Sequence, residues 1–510
     1  MDKTVPRCTI CGKKPRGICP ALEKIICPVC CGSGRGSKIR CVPSCDYFPF
    51  GVPGYDLWLE VDSKLVRKKL DYLKSYYSYR EFEKMVEQMR FASGISGEDA
   101  GTAEGAAVYY LFFVKCDADG HTLAQKWREE GWSGLNNDER IMMEHRFSCR
   151  ATVIEIEKVL DYQSMECIDL LEPEKGSFLL IDRATATRSV RFTRMLTWLA
   201  HYPYFSRIAN NGVELSDLVF TEFMDSLRDA FRKENRKHKE LSIKDYLSQN
   251  FGVFGSLIYD LSREKSIAAL KRMDLHQCRA IYKIKGNYAE IKAVLDKYPD
   301  FEQRERHPDE QDTPGVYYYS WLRRGQSKAL EKNMPAHFRH GQEKDEGVGT
   351  VGNIRLFPDK LIVEAFTKQK HSFAKRMVRK FFGENLLLQN EVVVDLAKQQ
   401  AGKMEDDYES YAQEIISNKE KSDSKEIPPE VERELMQKFY KRHYTIFLDD
   451  KIPALDEMTP RAAAADPQMR PKLIELMKQH LKGIEQQNKD RGLDLNIDWV
   501  LNELALPELK

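Results

Sequence analysis

Apolar residues recur at helical spacing from Tyr55 to Phe91, at Leu57, Trp58, Val61, Leu65, Leu70, Leu73, Phe82, Val86 and Met89, and predict a helical hairpin. GISGEDAGTAEG (94–105) is a loop by composition. The run AAVYYLFFV (106–114) is about half the length of a membrane span and predicts a buried element. From Trp127 to Leu160 helical spacing gives way to the strand-like TVIEIEKVL. CIDLLEPEKGSFLLID then sets short apolar runs on either side of Glu-Lys-Gly, the signature of a β-hairpin. Leu215 to Leu270 is charged and helical, and PDFEQRERHPDEQDTPG (299–315) is a hydrophilic linker. NIRLFPDKLIVEAF (353–366) predicts two strands about a Pro-Asp turn, followed by a helix from Lys368 to Phe382 that stops at Gly383. A second linker, SNKEKSDSKEIPPE (417–430), precedes a helical C-terminus, and no internal repeat is evident.

The fold class expected from this pattern is α+β, helix-dominated and multidomain, with an N-terminal Cys-rich zinc module, small β elements in the middle and a helical C-terminal domain. The expected segments are a module at 1–50, a helical hairpin at 51–115 and a mixed α+β domain at 116–298. A small β-hairpin plus helix unit at 316–385 and a helical domain at 428–510 complete the chain. A length of 510 residues is too great for one core. The net charge of +1 gives no global pull toward nucleic acid or a membrane surface. No apolar run approaches the ~18–20 residues of a transmembrane helix, and MDKTVPRCTICGKK lacks the apolar core of a signal peptide. A cytoplasmic protein without a membrane partner is expected.

The cysteines sharpen that picture. Of the 12 in the chain, Cys8, Cys11, Cys19, Cys27, Cys30, Cys31, Cys41 and Cys45 crowd into the module, while Cys116, Cys149, Cys167 and Cys278 are scattered. Thiols confined to one short module of a large chain fit a metal site better than a disulfide framework. The CxxC pairs Cys8–Cys11 and Cys27–Cys30 place two sulfurs on one side of a tight turn, half of a tetrahedral Zn²⁺ site, with Gly and Pro beside them. Eight thiols fill two four-cysteine sites, hence two zinc ions per chain. By analogy with interleaved cross-brace modules, Cys8, Cys11, Cys27 and Cys30 would share one zinc and Cys19, Cys31, Cys41 and Cys45 the other; Cys30 and Cys31 could exchange roles. Residues 1–46 carry nine Lys/Arg against Asp2, Glu23 and Asp46, and eight thiolates with two Zn²⁺ bring the module to about +2. Its cations can simply offset thiolate charge; a module that touches nucleic acid or docks a protein is the alternative.

Other motifs carry less. GVGTVG (347–352) matches the dinucleotide fingerprint but follows a polar loop and precedes a strand, the wrong context. DADG (117–120) starts like a calcium loop, yet the position of the bidentate Glu holds Arg128. His337 and His340 sit in a polar loop without a third ligand. RKENRKHKE (232–240) is an exposed charged helix. In TATRSVRFTRMLTWLAHYPYFSR (185–207), Arg188, Arg191 and Arg194 fall every three residues and would share a helix face, followed by Trp198 and Arg207. Cations and aromatics on one face can grip single-stranded nucleic acid. The alternative is that Phe192, Met195, Leu196 and Leu199 form an apolar face of which the arginines are the solvated edge.

CCGSGRGSKIRC resembles the SEC-C metal motif, although it lacks that motif's terminal Cys-Cys or Cys-His pair. The longer string ICP…IICPVCCGSGRGSKIRC…C is similar to the N-terminus of a group of uncharacterised bacterial proteins; the resemblance implies metal binding. In YTIFLDDKIPALDEMTPRAAAADPQMRPKLIELMKQHL (444–481), Thr459 is placed to cap a helix whose first residue is Pro460. The stretch resembles the C-terminal domain of Xre/MbcA/ParS-type antitoxins. Ile452, Pro453, Leu455, Thr459 and Pro460 match, while Asp456 and Glu457 stand where that family carries glycines. The resemblance implies a protein-docking surface. A zinc-binding adaptor or interaction protein is the function expected, with a protein partner and possible nucleic-acid association. An enzyme of unrecognised type, its site in the α+β middle, is the alternative.

Overall fold

The computed structural model describes residues 7–93, 100–209, 212–236, 241–273, 275–306, 314–331, 349–408 and 429–510. The chain forms two compact units, one built from residues up to Ser262 together with the segment from Ile415 onward, the other spanning Arg263–Glu414. Helix outweighs strand, 52% against 20%, the mixed class the periodicity predicts. Among the described residues no helix is long and apolar enough to cross a membrane.

The first unit opens with the hairpin β1 (Gly17–Cys19) and β2 (Lys24–Ile26) and the short helix α1 (Pro28–Gly34). Five helices follow: α2 (Tyr55–Lys74), α3 (Tyr79–Ser93), α4 (Ala100–Phe113), α5 (Leu123–Glu129) and α6 (Asn137–Arg146). Capping boxes start the last two, Thr122 with Gln125 and Asn136 with Glu139. α4 is apolar all round and accordingly lies in the core, with Ala107, Leu111 and Phe112 buried.

Strands β3 (Arg150–Val159), β4 (Ser164–Asp169), β5 (Ser177–Ile181), β6 (Arg194–His201) and β7 (Ser206–Ile208) close on themselves in the order β3-β4-β5-β7-β6-β3. Neighbours are antiparallel except β5 and β7. Helix α7 (Arg183–Arg188) links β5 to β6, and the short β8 (Val213–Glu214) also pairs with β6. This is a closed Greek-key barrel of the OB type. β3 serves two neighbours because it is long: Arg150–Glu155 pair with β6, and Ile154–Val159 with β4 through a bulge at Ile156/Lys158. Ile154, Ile156, Met165, Leu180 and Leu199 fill the interior.

The barrel replaces the expected Arg/aromatic helix. Helix stops at Arg188, and Arg194, Trp198 and their neighbours are strand. β6 is buried on both faces over seven residues, so RMLTWLA lacks the alternation that marks a half-exposed strand. Three arginines spaced every three residues then imitate a helix. Helices α8 (Asp217–Asn235), α9 (Ile243–Gln249) and α10 (Phe251–Arg272) follow; residues 237–240 of the charged run lie outside the described residues.

The second unit is a six-stranded antiparallel sheet in the order β10-β11-β12-β13-β9-β14. Its elements are β9 (His276–Ile284), α11 (Tyr288–Lys297), β10 (Phe301–Arg304), β11 (Tyr317–Leu322), α12 (Gly325–Glu331), β12 (Thr350–Leu356), β13 (Lys360–Ala365), α13 (Lys368–Phe382), β14 (Leu386–Asp395) and α14 (Leu396–Asp406). Ile291 and Leu295 of α11 and Phe373, Met377 and Phe382 of α13 pack on Ala280, Tyr319, Ile354 and Leu361 of the sheet. The break expected between 298 and 316 therefore falls inside one sheet. β9, assigned by sequence to the preceding domain, lies between β13 and β14. Phe301–Arg304, within the expected linker, is an edge strand that pairs Phe301 with Trp321. A Cβ on Gly352 would lie 2.1 Å from the Glu364 carbonyl oxygen, so glycine is required where β12 crosses β13.

The C-terminal segment carries α15 (Pro429–Phe447), α16 (Pro460–Ala465), α17 (Arg470–Arg491) and α18 (Asp498–Glu503) around Leu448, Leu455, Leu473, Met477 and Leu504. Its core also contains Phe192, from the loop before β6, held at φ 64°. That conformation is costly for a bulky residue and persists because its surroundings fix it. Arg191 donates through Nε to Glu157 O and through Nη1 to Leu509 O, each at 3.0 Å. Arg194, 2% exposed, donates to Glu155 at 2.7 Å and grips Glu475 with both Nη atoms at 2.6 and 2.7 Å. Lys478 supplies a second cation to Glu155.

A second buried polar cluster ties α2 to α6. Arg146 donates to Asp62 at 2.6 Å and to the Tyr202 hydroxyl at 3.2 Å. Lys69 lies beside them over the Tyr109 ring, and burial together with the Arg146 charge holds its pKa down to about 7, against the pull of Asp62.

Two outcomes follow from these clusters. Arg194→Ala leaves the buried Glu155 to Lys478 alone and frees Glu475, and should cost about 3 kcal/mol in denaturant unfolding, with loss of the C-terminal contacts in hydrogen exchange. An unfolded lysine titrates near 10.4, so between pH 7 and 10 the unfolded chain holds a proton that folded Lys69 has released, and stability rises with pH there. From pH 7.5 to 9 the wild type should gain about 2 kcal/mol relative to Lys69→Met in urea melts; parallel pH profiles would remove Lys69 as the cause.

Candidate metal centre

Local backbone chemistry brings four thiols together. The first knuckle closes through Gly12 N–H to Cys8 O at 2.8 Å, with Gly12 at φ 70°, a left-handed turn that suits glycine. Thr9 N–H bonds Ile25 O at 2.9 Å, laying this knuckle against β2. In the second knuckle Cys27 is the N-cap of α1, its sulfur accepting the Cys30 N–H at 3.4 Å, with Pro28 at the first helical turn. The Sγ atoms of Cys8, Cys11, Cys27 and Cys30 all lie within 4.8 Å of one another, and Cys11 and Cys27 approach to 3.5 Å. A tetrahedron of about 2.3 Å Zn–S bonds has sulfurs about 3.8 Å apart. The group fits a metal ion such as zinc, and it does so with the cysteines the spacing assigns to one site.

The thiols are also prepared for ionisation. Burial opposes a charge on Cys8, but backbone N–H groups of Cys11, Ile10 and Cys27 outweigh it and hold the pKa down to about 6. The Cys30 N–H lowers Cys27 as well. Cys30 itself is pushed up to about 12, first by its hydrogen bond with Cys11 and then by burial. Four thiols this close cannot all ionise without a cation among them, so the protons they share are what a metal would displace. Such a closed four-thiol site leaves no open position for a reacting water.

Cys19, Cys31, Cys41 and Cys45, expected to share a second zinc, do not close into such a group among the described residues. All four line one small cavity of about 40 Å³ beneath Arg16, Ile26 and Tyr47. Burial pushes Cys41 up to about 11 against the pull of Arg35, with Cys31, Cys45 and Cys19 adding to the rise. Cys30 thus belongs to the first group, while Cys31 faces this cavity and Arg35, whose Nη2 is 3.7 Å from its sulfur.

Arg35 also fastens the module to the helical core. Its guanidinium pairs with Asp138 and donates to Tyr47 O at 2.7 Å. The Asn137 side chain bonds the carbonyls of Gly32 and Arg35 at 2.7 and 2.9 Å. These contacts account for one of the module's basic residues structurally.

The remaining sequence candidates fall elsewhere. Of the five proposed nucleic-acid contacts, Arg188 alone is exposed. Trp198 is fully buried, Arg191 and Arg194 hold the C-terminal segment, and Arg207 pairs with Asp182 beside the Trp58 ring. The five residues do not form a shared surface. Ile452, Pro453, Leu455, Thr459 and Pro460 do share one turn: Ile452 bridges Met458, Leu455 and Pro460 are buried, and Thr459 caps α16 through Ala462 N–H. Asp117 accepts the Asp119 and His121 N–H groups and pairs with Lys126, which leads in holding its pKa down to about 2; the carboxylate is committed to a turn. His337 and His340 lie outside the described residues.

Sequence patterning did not find a polar cavity of about 300 Å³ at the mouth of the barrel, lined by Arg150, Thr152 and His201 with Glu172, Lys244 and Asp245. Its cations and acids are already paired, Arg150 with Asp245 and Lys244 with Asp169 and Glu172. Burial and the Lys244 charge lower the His201 pKa, and its Nδ1 meets Ser206 at 2.8 Å. The contributors come from four separate elements, which no linear motif records.

The chain matches no protein-family model, no curated protein and no solved structure. Its function therefore rests on geometry.

Asp138→Ala should leave Arg35 buried without its carboxylate, at a cost of about 3 kcal/mol. Limited proteolysis would then cut first between the module and α2, while the far-UV spectrum stays unchanged; wild-type cleavage kinetics would contradict the role given to this pair.

Proposed function

We propose that the protein is a zinc-organised, non-enzymatic adaptor of the cytoplasm, with two structural zinc ions in its N-terminal module and a protein-docking C-terminal segment. The observation that carries this reading is the closed four-thiol group of Cys8, Cys11, Cys27 and Cys30, an arrangement suited to building structure. The second zinc would sit among Cys19, Cys31, Cys41 and Cys45, a placement supported by the cavity these four thiols line. All twelve cysteines are free thiols, in keeping with a reducing compartment.

Docking at the C-terminus is supported by two features. Asp456 and Glu457, where the antitoxin C-terminal domains carry glycines, adopt φ 52° and 63°, the left-handed conformation glycine favours. On α15, Leu435, Phe439 and Ile446 recur at helical spacing and are 55%, 56% and 43% exposed, with His443 stacked on Phe439. An apolar stripe of this kind suits a protein partner. Nucleic acid is not carried forward through Arg188, Arg191, Arg194, Trp198 and Arg207. The enzyme alternative keeps one support, the polar cavity around His201.

Native mass spectrometry of the chain from its own cells should give two zinc ions and a bound protein. Cys41→Ser with Cys45→Ser should halve the zinc, and Phe439→Asp should release the protein while keeping both ions. One zinc in the wild type would overturn the second site; a bare chain holding a small molecule in the barrel cavity would favour the enzyme.

A further inference from the structure

The two edges of the second unit's sheet are built in opposite ways. β10 is four residues long and carries Glu302 and Arg304, the short charged form by which sheets discourage further pairing. β14 is ten residues long, LLLQNEVVVD, with neither proline nor lysine. It pairs with β9 on one side and with no strand on the other among the described residues. Leu387, Leu388, Val392 and Val393 are 47%, 43%, 43% and 43% exposed. A long apolar edge whose backbone meets no second strand is a template for one.

We infer that β14 pairs antiparallel with β14 of a second copy of this chain, joining the two sheets across a twofold axis. The occupant is indicated by the strand's own symmetry. Apolar residues stand on both sides of a polar centre, Gln389-Asn390-Glu391, so reversing the strand lays apolar on apolar. An arbitrary partner strand gives no reason for that pattern, whereas an isologous interface demands it. The bulge between Leu388 and Asn390 shifts the side-chain phase by one residue. Cross-strand partners in β9 put Leu388 and Val393 on the helix-covered face, and Leu387 and Val394 on the other. A twofold that keeps each face therefore opposes Leu388 to Val393 of the second copy, and Leu387 to its Val394. Counted past the bulge, Asn390 then faces Val392, and Glu391, the acid at the centre, lies on the axis opposite its own copy. Its carboxylate is already bound by His371 at 3.0 Å and Lys375 at 2.8 Å, which removes the charge that would oppose pairing.

The test uses the full zinc-loaded chain. Sedimentation velocity and light scattering should find a species of twice the 59.2 kDa chain mass, with Leu386–Asp395 amides exchanging slowly at dimer-forming concentrations. Leu387→Lys with Val392→Lys, both at exposed positions, should weaken the dimer about 100-fold and release those amides, with far-UV spectrum and zinc content unchanged. A monomer at every concentration overturns the proposal. So does a dimer that survives the two lysines with unchanged mass and exchange. A chain that is monomeric when pure but protected at β14 when bound to another cellular protein would give the edge to that protein and overturn self-pairing.

Discussion

One buried carboxylate ties the first unit together. Glu155 sits in the barrel wall at 1% exposure, where a lone ionised group would cost several kcal/mol. Arg194 from the neighbouring strand answers it, but a guanidinium has more donors than one carboxylate satisfies. The remaining donors go to Glu475, and Lys478, one turn further along α17, returns to Glu155. The group that completes the barrel's electrostatics therefore lies about 300 residues downstream in the chain. Phe192 adds the apolar half of the joint, crossing into the C-terminal core at the expense of a left-handed backbone. The discontinuous unit is the consequence.

The cysteine module repeats this logic on a smaller scale. Thiolates clustered without a cation would repel one another, and a tetrahedral dication removes the repulsion while fixing the fold. Arg35 then joins the Cys31 thiol to α6, so charge in the cysteine module is coupled to the helical core through Asp138. A metal held by four thiols in this way would be architecture.

What was legible in the sequence was local. CxxC spacing located the thiols because ligand geometry is set within a turn, and Thr459-Pro460 marked a helix start because capping is satisfied within a few residues. The strands around the Pro358–Asp359 turn pair as their alternation suggests. What was hidden depended on distant chain. β6 reads as a helix because burial on both faces erases its alternation, and only its pairing with β3 reveals a strand. Arg191 and Arg194 look like surface cations because their acceptors, Leu509 O and Glu475, are remote in sequence. Phe301–Arg304 looks like linker because an edge strand can be hydrophilic. The barrel cavity draws its lining from β3, the β4–β5 connection, β6 and the start of α9, so it has no linear signature.

The two sheets also solve one problem in two ways. A strand's backbone groups must be paired, and a barrel removes the question by closing: β3 spends its length on two neighbours, with a bulge to turn the corner. The second sheet stays open, so its edges must be blunted or paired. β10 is blunted by brevity and charge. β14 is not, and its central acid is neutralised from within by His371 and Lys375, both on α13. Had selection acted only to keep this edge in water, an unpaired glutamate there would serve better than one tied down by a histidine and a lysine. The side chains that quench Glu391 make sense if the edge is a place where another strand belongs.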